Sequence, residues 1–259
     1  MPVFYDQLGK SVNLPSVTKR IVSLVPSQTE LLFKLGLDSE IVGITKFCIH
    51  PHEKVRSKIH IGGTKQLNVP LIKKIAPDLV IANKEENDKG QIEGLMTLYP
   101  VWVSDINNLS SALQMINGVG EIVSRVTEAK LLIDLIEKSF TKLHQVDDLR
   151  VAYLIWRKPY MAAGQDTYIN EMLNVCGFKN VIQHERYPVI SADDIVNAKP
   201  DILFLSSEPY PFSLKHLTEF QKMLPSTKIL LVDGEMFSWY GSHLLDAPAY
   251  FNSVIQSLK

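Results

Sequence analysis

One pattern occurs twice in this chain and limits what it can fold into. LIKKIAPDLVIAN at 71–83 and DIVNAKPDILFLS at 194–206 each read as a short helix, a Pro-Asp and a strand of four or more apolar residues. Pro77 and Pro200 follow Ile72 and Ile195 at the same offset. Proline ends each helix and aspartate opens each strand. A repeat of this kind predicts two related α/β units.

The surrounding sequence extends both units. IVSLV (21–25) precedes SQTELLFKLG (27–36), with Ser27 and Glu30 spaced as a capping box and Gly36 placed to end the helix. EIVGIT (40–45) follows, then a helix over 68–76 capped by Asn68, a strand at 78–82, a helix over 88–99 and a strand at 101–104. The alternation restarts at RVAYLIW (150–156), with strands at 201–206 and 228–233 and helices at 166–176, 191–198 and 213–224, and a last helix from about 242. Such alternation implies parallel sheets flanked by helices. Between the two series, apolar residues from Ile122 to Leu143 recur at helical spacing, and no Gly or Pro follows Gly120, which predicts one long helix over about 120–145. The expected division is an N-terminal lobe 1–118, a linking helix 119–149 and a C-terminal lobe 150–259.

Composition narrows the function classes. A net charge of −1 over 259 residues argues against nucleic acid as the main partner. No apolar run approaches the roughly 18 residues of a membrane span. Cys48 and Cys176 make no disulfide framework, although one bridge between them is open. MPVFYDQLGKSVNLP lacks the regions of a signal peptide. There is no Walker, Rossmann or Gly-x-Ser-x-Gly motif, and NGVGE (117–121) fits none of them.

The chemistry-bearing residues share one end of the expected strands, where ligands bind in open parallel sheets. Lys46, Phe47, Cys48 and His50 follow the strand at 40–45, and Lys84, Glu85 and Glu86 follow 78–82. Trp156 closes the strand at 150–156, with Arg157, Lys158 and Tyr160 beyond it, and Glu208 follows 201–206. Glu235, Trp239 and Tyr240 follow 228–233. Cys48 with His50 is a weak metal pattern, because a closed zinc site takes four ligands and no Cys-x-x-Cys or His-rich partner set accompanies them. As a nucleophile and base the pair is a weak pattern, since the sequence names no third residue to orient them. No metal or catalytic residue is assigned. Lys46, Lys84, Arg157 and Lys158, if they face a ligand, need acidic groups opposite them and so predict an acid-bearing ligand.

DQLGKSVNLP, KRIVSLVPSQTELLFKLGL, GGTKQLN, NEMLNVCGFKNV and VISADDIVNAKPDILFLS together resemble the solute-binding proteins of the cobalamin and iron–siderophore ABC importers. The cobalamin-binding branch is the most similar. The resemblance covers nearly the whole chain. It implies the helical-backbone periplasmic-binding-protein fold, with two α/β lobes joined by one long helix and a ligand cleft between them. It implies a non-catalytic protein with no intrinsic cofactor, holding a cobalamin-like or iron-siderophore-like chelate for a membrane permease. It also implies a monomer that is periplasmic or membrane-associated, whereas a native start at Met1 would place it in the cytoplasm. Phe47, Tyr160 and Tyr187 fall at aromatic wall positions, and Asp193 at a permease-docking position whose first-lobe match is Pro70. Thr64 and Asn83 stand where tryptophans are expected. The alternative reading is a cytoplasmic enzyme or ligand sensor on the same fold, using Cys48, His50, Glu85 and Glu86.

Overall fold

The computed structural model describes residues 2–258 and divides the chain into two compact units. Met1, on which the cytoplasmic alternative rests, lies outside the described residues. The first unit comprises the chain up to Ile106 with Ser110–Ile136 and Tyr240–His243. The second comprises Asn107–Leu109, Glu137–Trp239 and the chain from Leu244.

The first unit opens with an antiparallel hairpin, β1 (Val3–Tyr5) and β2 (Ser11–Asn13). Then follow β3 (Ile21–Ser23), α1 (Pro26–Lys34), β4 (Ile41–Ile44), α2 (His52–Val55), β5 (Ile59–His60), α3 (Val69–Ile75), β6 (Leu79–Asn83), α4 (Lys89–Met96) and β7 (Val101–Ser104). The sheet order is β5-β4-β3-β6-β7, with every pairing parallel. β3 and β6 are buried along their whole length, as near-continuous apolar runs require. The hairpin covers the open edge of β7: Gln7 N donates to Val103 O at 3.1 Å and Trp102 Nε1 to Tyr5 O at 3.2 Å.

α1 starts differently from its sequence expectation. Pro26 occupies the first turn, extended Val25 is the cap residue, and no side chain caps the end. Ser27 is buried inside the helix, and the Glu30 carboxylate lies 3.0 Å from His243 Nδ1. The expected Ser27–Glu30 capping box is therefore not formed, because proline already supplies the first turn. Gly36 does end the helix, at φ 84°.

The expected single helix over 120–145 is two helices, α5 (Leu109–Ile122) and α6 (Val126–Phe140). The chain breaks at Ser124, which is left-handed at φ 56°, while Arg125 N donates to Gly120 O at 2.7 Å. The apolar period runs through the break because Ile122, Val123, Ala129, Leu132 and Ile136 are all buried. Gly120 is the reason the break is tolerated: a Cβ there would overlap Ala129 Cβ. α6 carries the chain from the first unit, whose segment ends at Ile136, into the second at Glu137.

The second unit contains β8 (Arg150–Trp156), β9 (Tyr160–Ala162), α7 (Tyr168–Val175), β10 (Lys179–Asn180), β11 (Val189–Ile190), α8 (Ala192–Ala198), β12 (Ile202–Ser206), α9 (Leu214–Met223), β13 (Lys228–Val232), α10 (Gly234–Ser238) and α11 (Ala247–Ser257). The order is β11-β9-β8-β12-β13, with β10 also on β8. β8, β12, β13 and β10 are parallel, whereas β9 pairs antiparallel with both β8 and β11. β12 is buried on both faces. Leu203 and Leu205 pack in a cluster with Phe220 and Ile195, and Phe204 meets Tyr153, Phe178 and Phe237 edge-on or tilted.

The repeated motif has one physical basis in both units. α3 ends at left-handed Ala76 (φ 50°) and α8 at left-handed Lys199 (φ 45°), each followed by proline. Asp78 accepts from Lys19 N and Arg20 N at 2.8 and 2.9 Å, and Asp201 accepts from Arg150 N at 2.9 Å. The Arg20 guanidinium returns to Ile75 O and Ala76 O, and that of Arg150 to Ala198 O and Lys199 O. Each aspartate satisfies an amide at the start of the neighbouring strand, and each arginine caps the orphan carbonyls of a helix end.

Candidate functional site

The parallel strands of the first unit deliver two loops from their carboxyl ends. The loop after β4 puts Phe47 at the surface, 50% exposed, with Lys46 Nζ 5.1 Å from its ring centroid. Among the described residues Lys46 has no carboxylate partner. The His50 ring lies 6.2 Å from that of His243.

Cys48 does not belong to this surface. It is 2% exposed, and its sulfur shares hydrogen bonds with Thr29 Oγ1 at 3.1 Å and Thr45 Oγ1 at 3.3 Å. Burial pushes its thiol pKa up. The expectation that Cys48 lines a ligand surface is thus corrected. A neutral thiol locked between two threonines is also the opposite of an activated nucleophile. Cys176 is likewise free and buried, and burial pushes its pKa up to about 12.

The loop after β6 is folded by two asparagines. Asn83 Oδ1 accepts from the amides of Glu85 and Glu86 at 2.8 and 2.9 Å, and Asn87 Oδ1 accepts from Asn83 N at 2.8 Å. Asn87 Nδ2 reaches Thr64 O at 3.0 Å. A tryptophan side chain at 83 has no oxygen to accept from the Glu85 and Glu86 amides, which explains the polar residue there. Lys84 is paired with Asp105 at 2.6 Å.

In the second unit, Trp156 ends β8 at 39% exposure, with Tyr210 edge-on at 5.6 Å. Arg157 is clamped by Glu219, with Nε to Oε1 at 3.1 Å and Nη2 to Oε2 at 2.6 Å. The Tyr160 hydroxyl donates to the same carboxylate at 3.2 Å. The guanidinium hydrogen bonds hold the Glu219 carboxyl below its usual range, and the same bonds raise the Arg157 pKa. Tyr187 lies under the Arg186 guanidinium, 5.9 Å away. Glu208 accepts from Ser238 Oγ at 2.6 Å and Trp239 Nε1 at 3.0 Å. Burial, followed by the charges of Glu235 and Asp233, raises the Glu208 pKa. Trp239 and Tyr240 are 7% and 6% exposed, so neither offers the open aromatic face expected of a wall residue. Asp193 is exposed in the first turn of α8, and Pro70 is exposed at the same turn of α3.

Sequence reasoning missed Glu219. Its only signal is its place three residues after His216 on α9, on the same helix face, and nothing links it to Arg157 in sequence. Asp105 directly follows β7, 21 residues from Lys84, and nothing local in the sequence marks it as the lysine's partner. With both pairs made, only Lys46 and Lys158 of the four strand-end cations lack an ion-pair partner among the described residues. No group of three or more His, Cys, Asp or Glu is placed to hold a metal ion among the described residues. No helix among them is long and apolar enough to cross a membrane.

In each unit, aromatic rings and charged side chains gather at strand ends, and Cys48 is buried. Residues 21–227 match the family model described as periplasmic binding protein, and the chain belongs to that family, whose members are the non-enzymatic solute-binding components of ABC importers. It is 29% identical over 213 residues to the uncharacterized ABC transporter substrate-binding lipoprotein YvrC of Bacillus subtilis (strain 168), covering 76% of this chain and 67% of that one. It is 22% identical over 213 residues to the vitamin B12-binding protein of Vibrio parahaemolyticus, covering 80% and 76%. The periplasmic heme-binding protein RhuT from Roseiflexus sp. RS-1, in its apo form, shares the fold at a TM-score of 0.78 and 20% identity, over 91% of this chain and 98% of that one.

Proposed function

We propose that this chain binds a cobalamin-like or iron-siderophore-like metal chelate bearing acidic side groups and delivers it to an ABC permease. The observation that carries the reading is the pairing of exposed rings with cations at strand ends. Phe47 sits under Lys46 in the first unit, and Trp156 stands beside Tyr210 and Arg157 in the second. Large flat ligands gain most from such faces, and the cations of Lys46 and Lys158 suit carboxylates or phosphate on the ligand. His50, Glu85, Glu86, Tyr160, Tyr187 and Glu235 are proposed to complete these surfaces. The named ligands of relatives, vitamin B12 and heme, support a tetrapyrrole-sized chelate.

The proposal extends to the setting. The functional lobes are taken as 1–118 and 150–259 with 119–149 linking them, and the passage of α6 from one compact unit to the next supports this division. Asp193 is proposed to meet a basic residue of the permease. The protein is proposed to work as a monomer in the periplasm or as an anchored lipoprotein, the setting of its relatives.

Native mass spectrometry and an absorbance spectrum of freshly purified protein test the reading. A bound corrin or iron chelate, or quenching of Trp156 on titration with cyanocobalamin or a ferric catecholate, is the expected result. A colourless protein that binds neither probe would overturn it.

A further inference from the structure

The first unit has a groove away from the loop after β4. It encloses about 360 Å³ between the β1–β2 hairpin, α4 and the ends of β6 and β7, a volume within the usual range for small-molecule sites. Its floor is apolar, formed by Leu8, Ile92, Met96 and Val103. Ile92 and Val103 are buried, whereas Leu8 remains 38% exposed. Lys10, Lys84 and Lys89 stand around it.

The charges at this rim do not balance. Lys84 is paired with Asp105, and Lys89 lies 3.9 Å from Glu93 on the same helix. The Lys10 amide donates to Asp6 Oδ1 at 2.8 Å, but its ammonium has no carboxylate partner among the described residues. Its ammonium instead lies 3.8 Å from the Met96 sulfur, a weak acceptor. Lys10 and Met96 also wall an adjoining depression of about 390 Å³ beside β2 and the start of β7. Thus one cation reaches over an apolar floor to a flexible thioether, with space on both sides. Methionine adapts its shape to whatever replaces that contact.

We propose that this groove binds a small amphipathic carboxylate, its apolar tail on Leu8, Ile92 and Met96 and its carboxylate on Lys10. The groove adjoins the loop after β6 through Asn83, Lys84 and Asn87, but its proposed contacts, Lys10 and Met96, lie outside the strand-end surfaces of the transport reading.

Protein labelled at the methionine methyl carbons provides the test, with the Met96 resonance assigned from Met96→Leu. Sodium octanoate should shift that resonance saturably with a Kd of about 1 mM or tighter, and Lys10→Glu should weaken binding by about tenfold or more. Lys10→Met, which keeps the apolar stem, should weaken it as well and guards against a hairpin effect of the charge reversal. Octylamine should leave the resonance in place. No movement with octanoate at about 10 mM, equal movement with octylamine, or unchanged affinity in both Lys10 variants would each overturn the assignment.

Discussion

Gly120→Ala should destabilise the protein, although helix propensity alone predicts the opposite sign. Within a helix, alanine is favoured over glycine by up to about 1 kcal/mol. Here the new methyl would overlap Ala129 Cβ and sit 3.1 Å from the Arg125 carbonyl oxygen. Neither neighbour is the far end of a flexible side chain. One is a Cβ fixed to the α6 backbone, and the other is a carbonyl of the turn itself. α6 must therefore shift away from the end of α5, and overpacking of this kind costs about 1–3 kcal/mol. The propensity gain offsets only part of that, because Gly120 lies in the last turn of its helix. Gly94 in α4 is the control, since nothing lies within 4 Å of a Cβ there. Gly94→Ala should raise stability by up to about 1 kcal/mol, so the two variants should differ by about 1–4 kcal/mol. Urea unfolding followed by circular dichroism, with equal m-values, measures the difference. If Gly120→Ala is as stable as Gly94→Ala, the α5–α6 break is not held by this contact and the reasoning fails.

Glu208→Gln should flatten the pH dependence of stability. Burial raises the Glu208 pKa above its ordinary 4.5, so the folded state holds a proton that the unfolded state has released. Stability is then lost as pH rises from about 4.5 through the folded pKa, and the variant should gain most on wild type above that window; an unchanged profile, with Trp239 fluorescence as the local reporter, refutes the assignment. Glu219 shifts the other way: its pairing is fully present above 4.5 and lost as pH falls through its lowered folded pKa, so Glu219→Gln should remove stability near neutral pH and little at acid pH. Its loss should be about 1 kcal/mol or less in denaturant titrations, since the pair is partly exposed. Both thiols should resist Ellman's reagent in the native protein and react in urea, and rapid labelling of Cys48 would show that it is open after all.

The fold was legible because parallel strands are buried on both faces and announce themselves as short apolar runs such as DLVIA and DILFLS. The Pro-Asp repeat was legible for a local reason: the left-handed helix end, the proline and the aspartate sit together in sequence. What the sequence hid was long-range or ambiguous in period. α5 and α6 share one apolar period across a turn, so periodicity sees one helix, and the break appears only in the close approach of Gly120 to Ala129. Cys48 sits in a loop full of exposed residues, and only the threonines of α1 and β4's end reveal that its side chain points inward.

The charges show the same division and bear most directly on function. Strand ends put Lys84 and Arg157 among the candidates to meet an acidic ligand, but Asp105 and Glu219 reach them first. Asp105 is 21 residues from Lys84 and Glu219 is 62 from Arg157, so neither pairing has a local signature. A clamped arginine still acts: its fork fixes Glu219, which fixes the Tyr160 hydroxyl, so the aromatic beside it is held in one orientation before a ligand arrives. Salt dependence of binding should therefore track Lys46 and Lys158, the two cations without such partners. Arg157→Ala should weaken binding through a loosened Tyr160, with the salt slope unchanged.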